Sequence, residues 1–187
     1  MPYLHIFLDS PAGYELTKTE LDIGLITKPY VDIAHCIRAG FWVSHALRDW
    51  VRITIGFDQL GPFSLTLNPT TIRYLGTDER SILHTILHSQ NAARGRQTKI
   101  PYGVSINDGP VRENMIETLN QDFLLLIPNE IPTWKEKIYE FSKVAMYCPL
   151  VQHWDKPEFP TSSIEQYRSQ FPRDVAILEV VHALDSI

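Results

Sequence analysis

A chain of 187 residues with 44% apolar content, four tryptophans and eight phenylalanines can bury one sizeable core without metals or disulfides. Its net charge of −5 excludes a generally basic nucleic-acid-coating protein, so an RNA site has to be a local basic patch or one pooled across two subunits. The length implies a single domain over 1–187. Cys36 and Cys148 lack CxxC spacing, which implies a reduced, cytoplasmic setting, and no apolar run reaches the length of a membrane span and no signal-peptide pattern follows Met1-Pro2-Tyr3.

In chain order, Tyr3–Leu8 reads as a short buried strand and Asp9-Ser10-Pro11-Ala12-Gly13 as a turn, with a polar loop running on to Lys28-Pro29. Val31, Ala34, Ile37, Phe41 and Ala46 recur at helical spacing and predict a long helix over 31–48. The β-branched alternation of Val51–Ile55 predicts a strand. Ser64–Leu67 and Thr71–Leu75 read as two more, turned at Asn68-Pro69. Thr77 stands where it would cap a helix with Asp78 and Glu79 in its first turn and Ile82, Leu83, Ile86 and Leu87 as its buried stripe. A polar loop over 92–101 carries Arg94, Arg96 and Lys99, Val104–Ile106 is a strand, and Pro110 opens a helix to about Leu119.

The continuous apolar run Phe123–Ile127 fits a parallel strand covered on both faces. Thr133-Trp134-Lys135-Glu136 forms a capping box for a helix to about Ser142, and Val144–Tyr147 is a strand stopped by Pro149. The stretch 152–172, with Pro157, Pro160 and Pro172, reads as loop with a short helix from Ser163, and Val175–Leu184 as a final amphipathic helix. Strands alternating with helices define an α/β sheet.

Several residues carry chemistry. His84 and His88 have the i, i+4 spacing of a metal pair, but the rest of an HExxH motif and a third ligand are missing, so no metal is assigned. The chain has no G-x-x-x-x-G-K-[ST], G-x-S-x-G or G-x-G-x-x-G, which removes support for NTPase, α/β-hydrolase and dinucleotide readings. Cys148 is either a small buried apolar residue or a nucleophile lining a pocket. Arg73 and Arg80 either grip phosphate or pair with Asp78 and Glu79. Arg94, Arg96 and Lys99 form a basic loop able to track an RNA backbone or simply to stay solvated.

Three segments carry a family resemblance. Phe41-Trp42-Val43-Ser44-His45-Ala46-Leu47-Arg48-Asp49 resembles the "F-F-L-S-H-x-I-R-x-D" segment of the tRNA pseudouridine N1-methyltransferase family, a group of the SPOUT superfamily. Ile72-Arg73-Tyr74-Leu75-Gly76-Thr77-Asp78-Glu79-Arg80-Ser81 resembles its "L-R-x-L-x-P-D-E-R-S", and Gly103-Val104-Ser105-Ile106 its "G-I-x-V" strand. The end of the chain, Val180-Val181-His182-Ala183-Leu184-Asp185, resembles "I-x-H-N-x-L-D". The likeness runs from about Val31 onward, with a shortened segment between Leu119 and Phe123 and a Pro-rich insertion over Trp154–Pro172 as departures.

The resemblance implies a SPOUT-type parallel sheet with helices on both faces, a C-terminal trefoil knot, a homodimer, and S-adenosylmethionine as cofactor for methylating a structured RNA, tRNA above all. The family's two cofactor loops, "G-D-H-I-G" and "S-L-S/G-P-L", fall on Leu126, Ile127, Pro128 and Asn129 (continuing Glu130-Ile131-Pro132) and on Met146, Tyr147, Cys148, Pro149 and Leu150. Pro128 stands where the family has glycine, fixing φ and removing a backbone donor. His35, His45, Arg48, Arg73, Arg80, Arg94 and Arg96 become the RNA-facing candidates, with His45 and Arg48 one helical turn apart. No catalytic residue is assigned. The alternative is a non-catalytic SPOUT-like dimer that binds RNA or a protein partner.

Overall fold

A mostly parallel seven-stranded sheet forms the centre of the computed structural model, which describes residues 3–119, 122–129, 133–150, 164–168 and 172–186. In chain order the elements are β1 (Tyr3–Asp9), α1 (Lys18–Ile23), α2 (Lys28–Phe41), β2 (Trp42–Val43), β3 (Ala46–Leu47), β4 (Val51–Gly56), β5 (Phe63–Leu67), α3 (Glu79–Ala93), β6 (Val104–Asp108), α4 (Val111–Thr118), β7 (Phe123–Asn129), β8 (Lys143–Pro149), β9 (Ile164–Arg168) and α5 (Arg173–Asp185). Strand order is β6-β5-β4-β1-β8-β7-β9, with β2 and β3 forming a separate hairpin. From β4 across to β9 every neighbouring pair is parallel, while β5 and β6 add an antiparallel flank.

Period-two alternation sorts the parallel strands onto two cores. Leu4, Ile6 and Leu8 of β1, Leu124 and Leu126 of β7, and Val144, Met146 and Cys148 of β8 face the larger core, which includes buried residues of α2, α3 and α5. Phe7, Phe123, Leu125, Ile127, Ala145 and Tyr147 face the opposite side, where Val111 and Met115 of α4 cover them. Helices therefore lie on both faces, as central parallel strands require. Two glycines set close approaches. A Cβ on Gly40 would lie 3.0 Å from Ile6, so α2 rests directly on the sheet. A Cβ on Gly56 would lie 2.3 Å from that of Val111, so α4 starts against the carboxyl end of β4.

Several sequence expectations are corrected. The helix expected over 31–48 stops at Phe41. Trp42 turns extended (φ −100, ψ 133), Ser44 takes φ 55, and the chain folds back as a hairpin pairing Trp42 with Leu47 and Val43 with Ala46. Arg48 closes the break, its amide donating to the Phe41 carbonyl at 2.7 Å. The apolar match at Ala46 belongs to the hairpin. The polar loop before Lys28 contains α1, set by a Thr17/Glu20 capping box and a left-handed Gly24. Thr71–Leu75 is not a strand. The Asn68 carbonyl receives the amides of Thr71 and Ile72 in a turn, and the outer edge of β5 is already taken by β6. Asp78, not Thr77, caps α3, accepting from the Ser81 amide at 2.8 Å.

The helix expected over 133–142 is replaced by turns and a 3-10 turn at Ile138–Glu140. So short a segment gains little from helix propagation, while Trp134 is drawn into the core at 2% exposure and Lys137 to Glu165 of β9. The helix expected from Ser163 is instead β9, paired with β7. Residues 151–163 and 169–171, most of the Pro-rich insertion, lie outside the described residues, as do 120–121 in the shortened segment.

Candidate functional site

Open α/β sheets bind ligands beyond the carboxyl ends of their parallel strands. Here β7 and β8 are neighbours in register, Leu124 opposite Val144 and Leu126 opposite Met146. The two segments expected to hold the cofactor therefore end side by side. Leu126, Ile127, Met146, Tyr147 and Cys148 are themselves buried strand residues, so a ligand could meet only the strand-end backbone and the residues beyond it. Pro128 and Asn129 extend β7 and pair with Tyr167 and Arg168 of β9, two residues past the last β8 pairing at Leu126. Pro128 is thus a strand-end residue, and its missing N–H falls beyond the β8 ladder. Glu130, Ile131 and Pro132 lie outside the described residues. After β8, the Leu150 amide donates to the Asp9 carbonyl at 2.9 Å and Arg173 Nε to the Pro149 carbonyl at 3.0 Å, tying the exit of β8 to β1 and α5.

Cys148 is fully buried and its thiol is pushed up to about 12 by burial, against the pull of Arg173. A thiol so protonated is a poor nucleophile. Cys36 is likewise buried and raised by burial, with Cys148 adding to the effect.

The same sheet edge holds a polar cluster for which the sequence alone gave little sign. Asp9 ends β1, and its carboxylate accepts from the Tyr147 hydroxyl at 2.5 Å. Arg112, at the start of α4, donates through Nε to the same hydroxyl at 3.0 Å and lies 3.7 Å from the carboxylate. Burial, reinforced by Asp9, raises the Tyr147 phenol and keeps it protonated as a donor. Asp58 accepts the Val111 amide at 3.1 Å, and burial followed by the nearby Asp9 raises its carboxyl despite that bond. The available signal was an acid closing an apolar strand at Asp9. The Arg112 and Tyr147 contributions depend on Gly56 letting α4 sit close, a tertiary fact.

The RNA-facing candidates disperse. His35 on α2 is 3.9 Å from Glu79, and His45 is exposed at the hairpin tip. Arg48 points inward with 3% of its side chain exposed: Nη2 donates to Asp185 at 2.8 Å and Nη1 to the Trp42 carbonyl at 2.6 Å. It is therefore neither on a helix nor one helical turn from His45. Arg80 pairs with Asp22 at 3.2 Å, while Arg94 and Arg96 share Glu15. Arg73 lies over the Tyr102 ring at 5.3 Å and, with Lys99, lines a cleft of about 720 Å³ that also takes in His84 and His88.

Among the described residues no group of three or more His, Cys, Asp or Glu is placed to hold a metal, and no helix is long and apolar enough to cross a membrane. No protein-family model matches the chain, and no curated protein matches its sequence.

Proposed function

We propose that the protein is an S-adenosylmethionine-dependent RNA methyltransferase of the SPOUT type, with the N1 position of a tRNA pseudouridine as acceptor. The observation that carries this reading is the adjacency of β7 and β8, which brings the two cofactor-like segments to one sheet edge. Methyl transfer needs chiefly proximity and orientation. The cofactor supplies the electrophilic methyl group. The strand ends at Asn129 and Pro149 would hold it, and Asp9, oriented by Tyr147 and Arg112, is a carboxylate at this edge that can orient the acceptor N–H. The reading carries with it a trefoil knot, with α5 passing behind the segment that contains Cys148, a cytoplasmic location, and a homodimer with either α5 or α2 in its interface. A sedimentation mass near 21.5 kDa at micromolar concentration would count against the dimer.

A non-catalytic dimer that binds RNA or a protein partner is the second reading. It is favoured by Pro128, which extends β7 where the family keeps a glycine loop. Calorimetry with S-adenosylmethionine and S-adenosylhomocysteine separates the two readings, because only the first needs either ligand to bind.

A further inference from the structure

The outer face of α3 carries a polar stripe opposite its buried one. Ser81, His84, Thr85 and His88 occur at i, i+3, i+4 and i+7 and form one wall of the 720 Å³ cleft, a volume suited to a small organic ligand. The facing wall is the turn holding Arg73 and Tyr74 together with Lys99 and Tyr102. Tyr74 and Tyr102 are 89% and 66% exposed, an unusual outlay of aromatic surface around one opening. The His84 and His88 rings stack with centroids 6.3 Å apart, and Arg73 stacks on Tyr102. Among the described residues no carboxylate lines the cleft, although the chain as a whole carries a net charge of −5.

The walls are fixed before any ligand arrives. Gln97 donates to the carbonyls of His88 and Lys99, both at 2.7 Å, bracing the loop against α3. The Gly76 amide donates to Ser81 Oγ at 2.7 Å, pinning the Tyr74 turn to the start of the helix. Gly103, at φ +77, lets its segment close on Ile72, whose backbone lies 2.2 Å from where a Cβ would stand. Tyr74 itself is held at φ 64, a left-handed conformation that a bulky residue rarely adopts.

We infer that this cleft is a nucleotide-binding site, stacking one base on its tyrosine and histidine rings and taking the attached phosphate on Arg73 and Lys99. Planar aromatic walls suit any base, and two cations without an opposing acid suit the phosphate. The site rests on the RNA-methyltransferase reading for the source of its ligand, a residue of a single strand rather than a free nucleotide.

The test is fluorescence anisotropy of the full chain with a 5′-labelled ten-nucleotide oligouridylate, competed by free UMP. Tyr102→Ala, at an exposed site away from the core, should weaken oligonucleotide binding by about tenfold or more. Lys99→Glu should weaken it and flatten its salt dependence, while Lys18→Ala, on an exposed helix, should leave it unchanged. Binding by Tyr102→Ala and Lys99→Glu equal to that of the natural protein would overturn the site. Competition by UMP at the oligonucleotide's own concentration would overturn the strand as its source. Oligonucleotide binding that depends on Tyr102, in a protein that shows no heat with S-adenosylmethionine, would sink the methyltransferase reading and keep this one. The opposite pattern would sink this one alone.

Discussion

Arg48→Ala should destabilise the fold far more than it alters any surface. The guanidinium holds Asp185 through Nε at 3.1 Å and Nη2 at 2.8 Å. Its Nη1 reaches the carbonyls of Ala39, Gly40 and Trp42 at the end of α2, at 3.4, 3.3 and 2.6 Å. One side chain thus caps α2 and clasps the last turn of α5 across 137 residues. Removing one partner of a buried, hydrogen-bonded ion pair costs about 3–5 kcal/mol. Asp185 is 31% exposed and regains some water, which places the loss near the lower figure. For a domain of this size about 3 kcal/mol corresponds to a fall in Tm of roughly 6–12 °C. Asp185→Asn, which keeps an acceptor, should cost about 1 kcal/mol. Thermal unfolding followed by circular dichroism reads both. An Arg48→Ala protein melting within about 2 °C of the natural one would refute the clasp and return Arg48 to the surface role its motif implied.

Two further outcomes concern buried groups. His5 is held neutral, its pKa lowered to about 3 by burial and then by Arg52, with Nε2 bonded to the Thr54 hydroxyl at 2.8 Å. The unfolded histidine binds its proton near pH 6.5, so stability is full above that value and falls as pH drops toward 3, by about 1.4 kcal/mol per unit. Denaturant titrations from pH 7 to 4 should show this slope reduced in His5→Leu; equal slopes would show that His5 plays no part in it. Asp9→Asn should lower methyl transfer about 100-fold or more if the carboxylate takes part in moving the acceptor proton, with S-adenosylmethionine affinity unchanged. An unaltered rate would leave Asp9 a purely structural end to β1.

The sheet was legible where period and length agreed. Phe123–Ile127, Val51–Ile55 and Val175–Leu184 form the elements that their patterns predict, because burial on both faces or along one stripe writes itself into the sequence. The boundary at Phe41 was not legible, because Ala46 extends the helical period by coincidence while the break depends on a guanidinium arriving from Arg48. Ile164–Arg168 gains its strand character from pairing with β7, which no local pattern encodes. At the sheet edge the apolar runs that form β7 and β8 were legible as strands. The Asp9, Tyr147 and Arg112 cluster could not, since it gathers residues from three elements. The motif residues Arg48, Asp78, Ser81 and Asp185 all make structural hydrogen bonds here, which is one physical reason for such segments to look alike without sharing chemistry.

The most direct test of the methyltransferase reading is isothermal titration calorimetry of the natural protein and Pro128→Gly with S-adenosylmethionine and S-adenosylhomocysteine. Weak but saturable binding to the natural protein is the expected result. Restoring a backbone donor at 128 should tighten it about fivefold or more, the value of roughly one hydrogen bond of 1 kcal/mol. Absence of heat with either ligand, in both proteins, would contradict the reading and leave the non-catalytic dimer in its place.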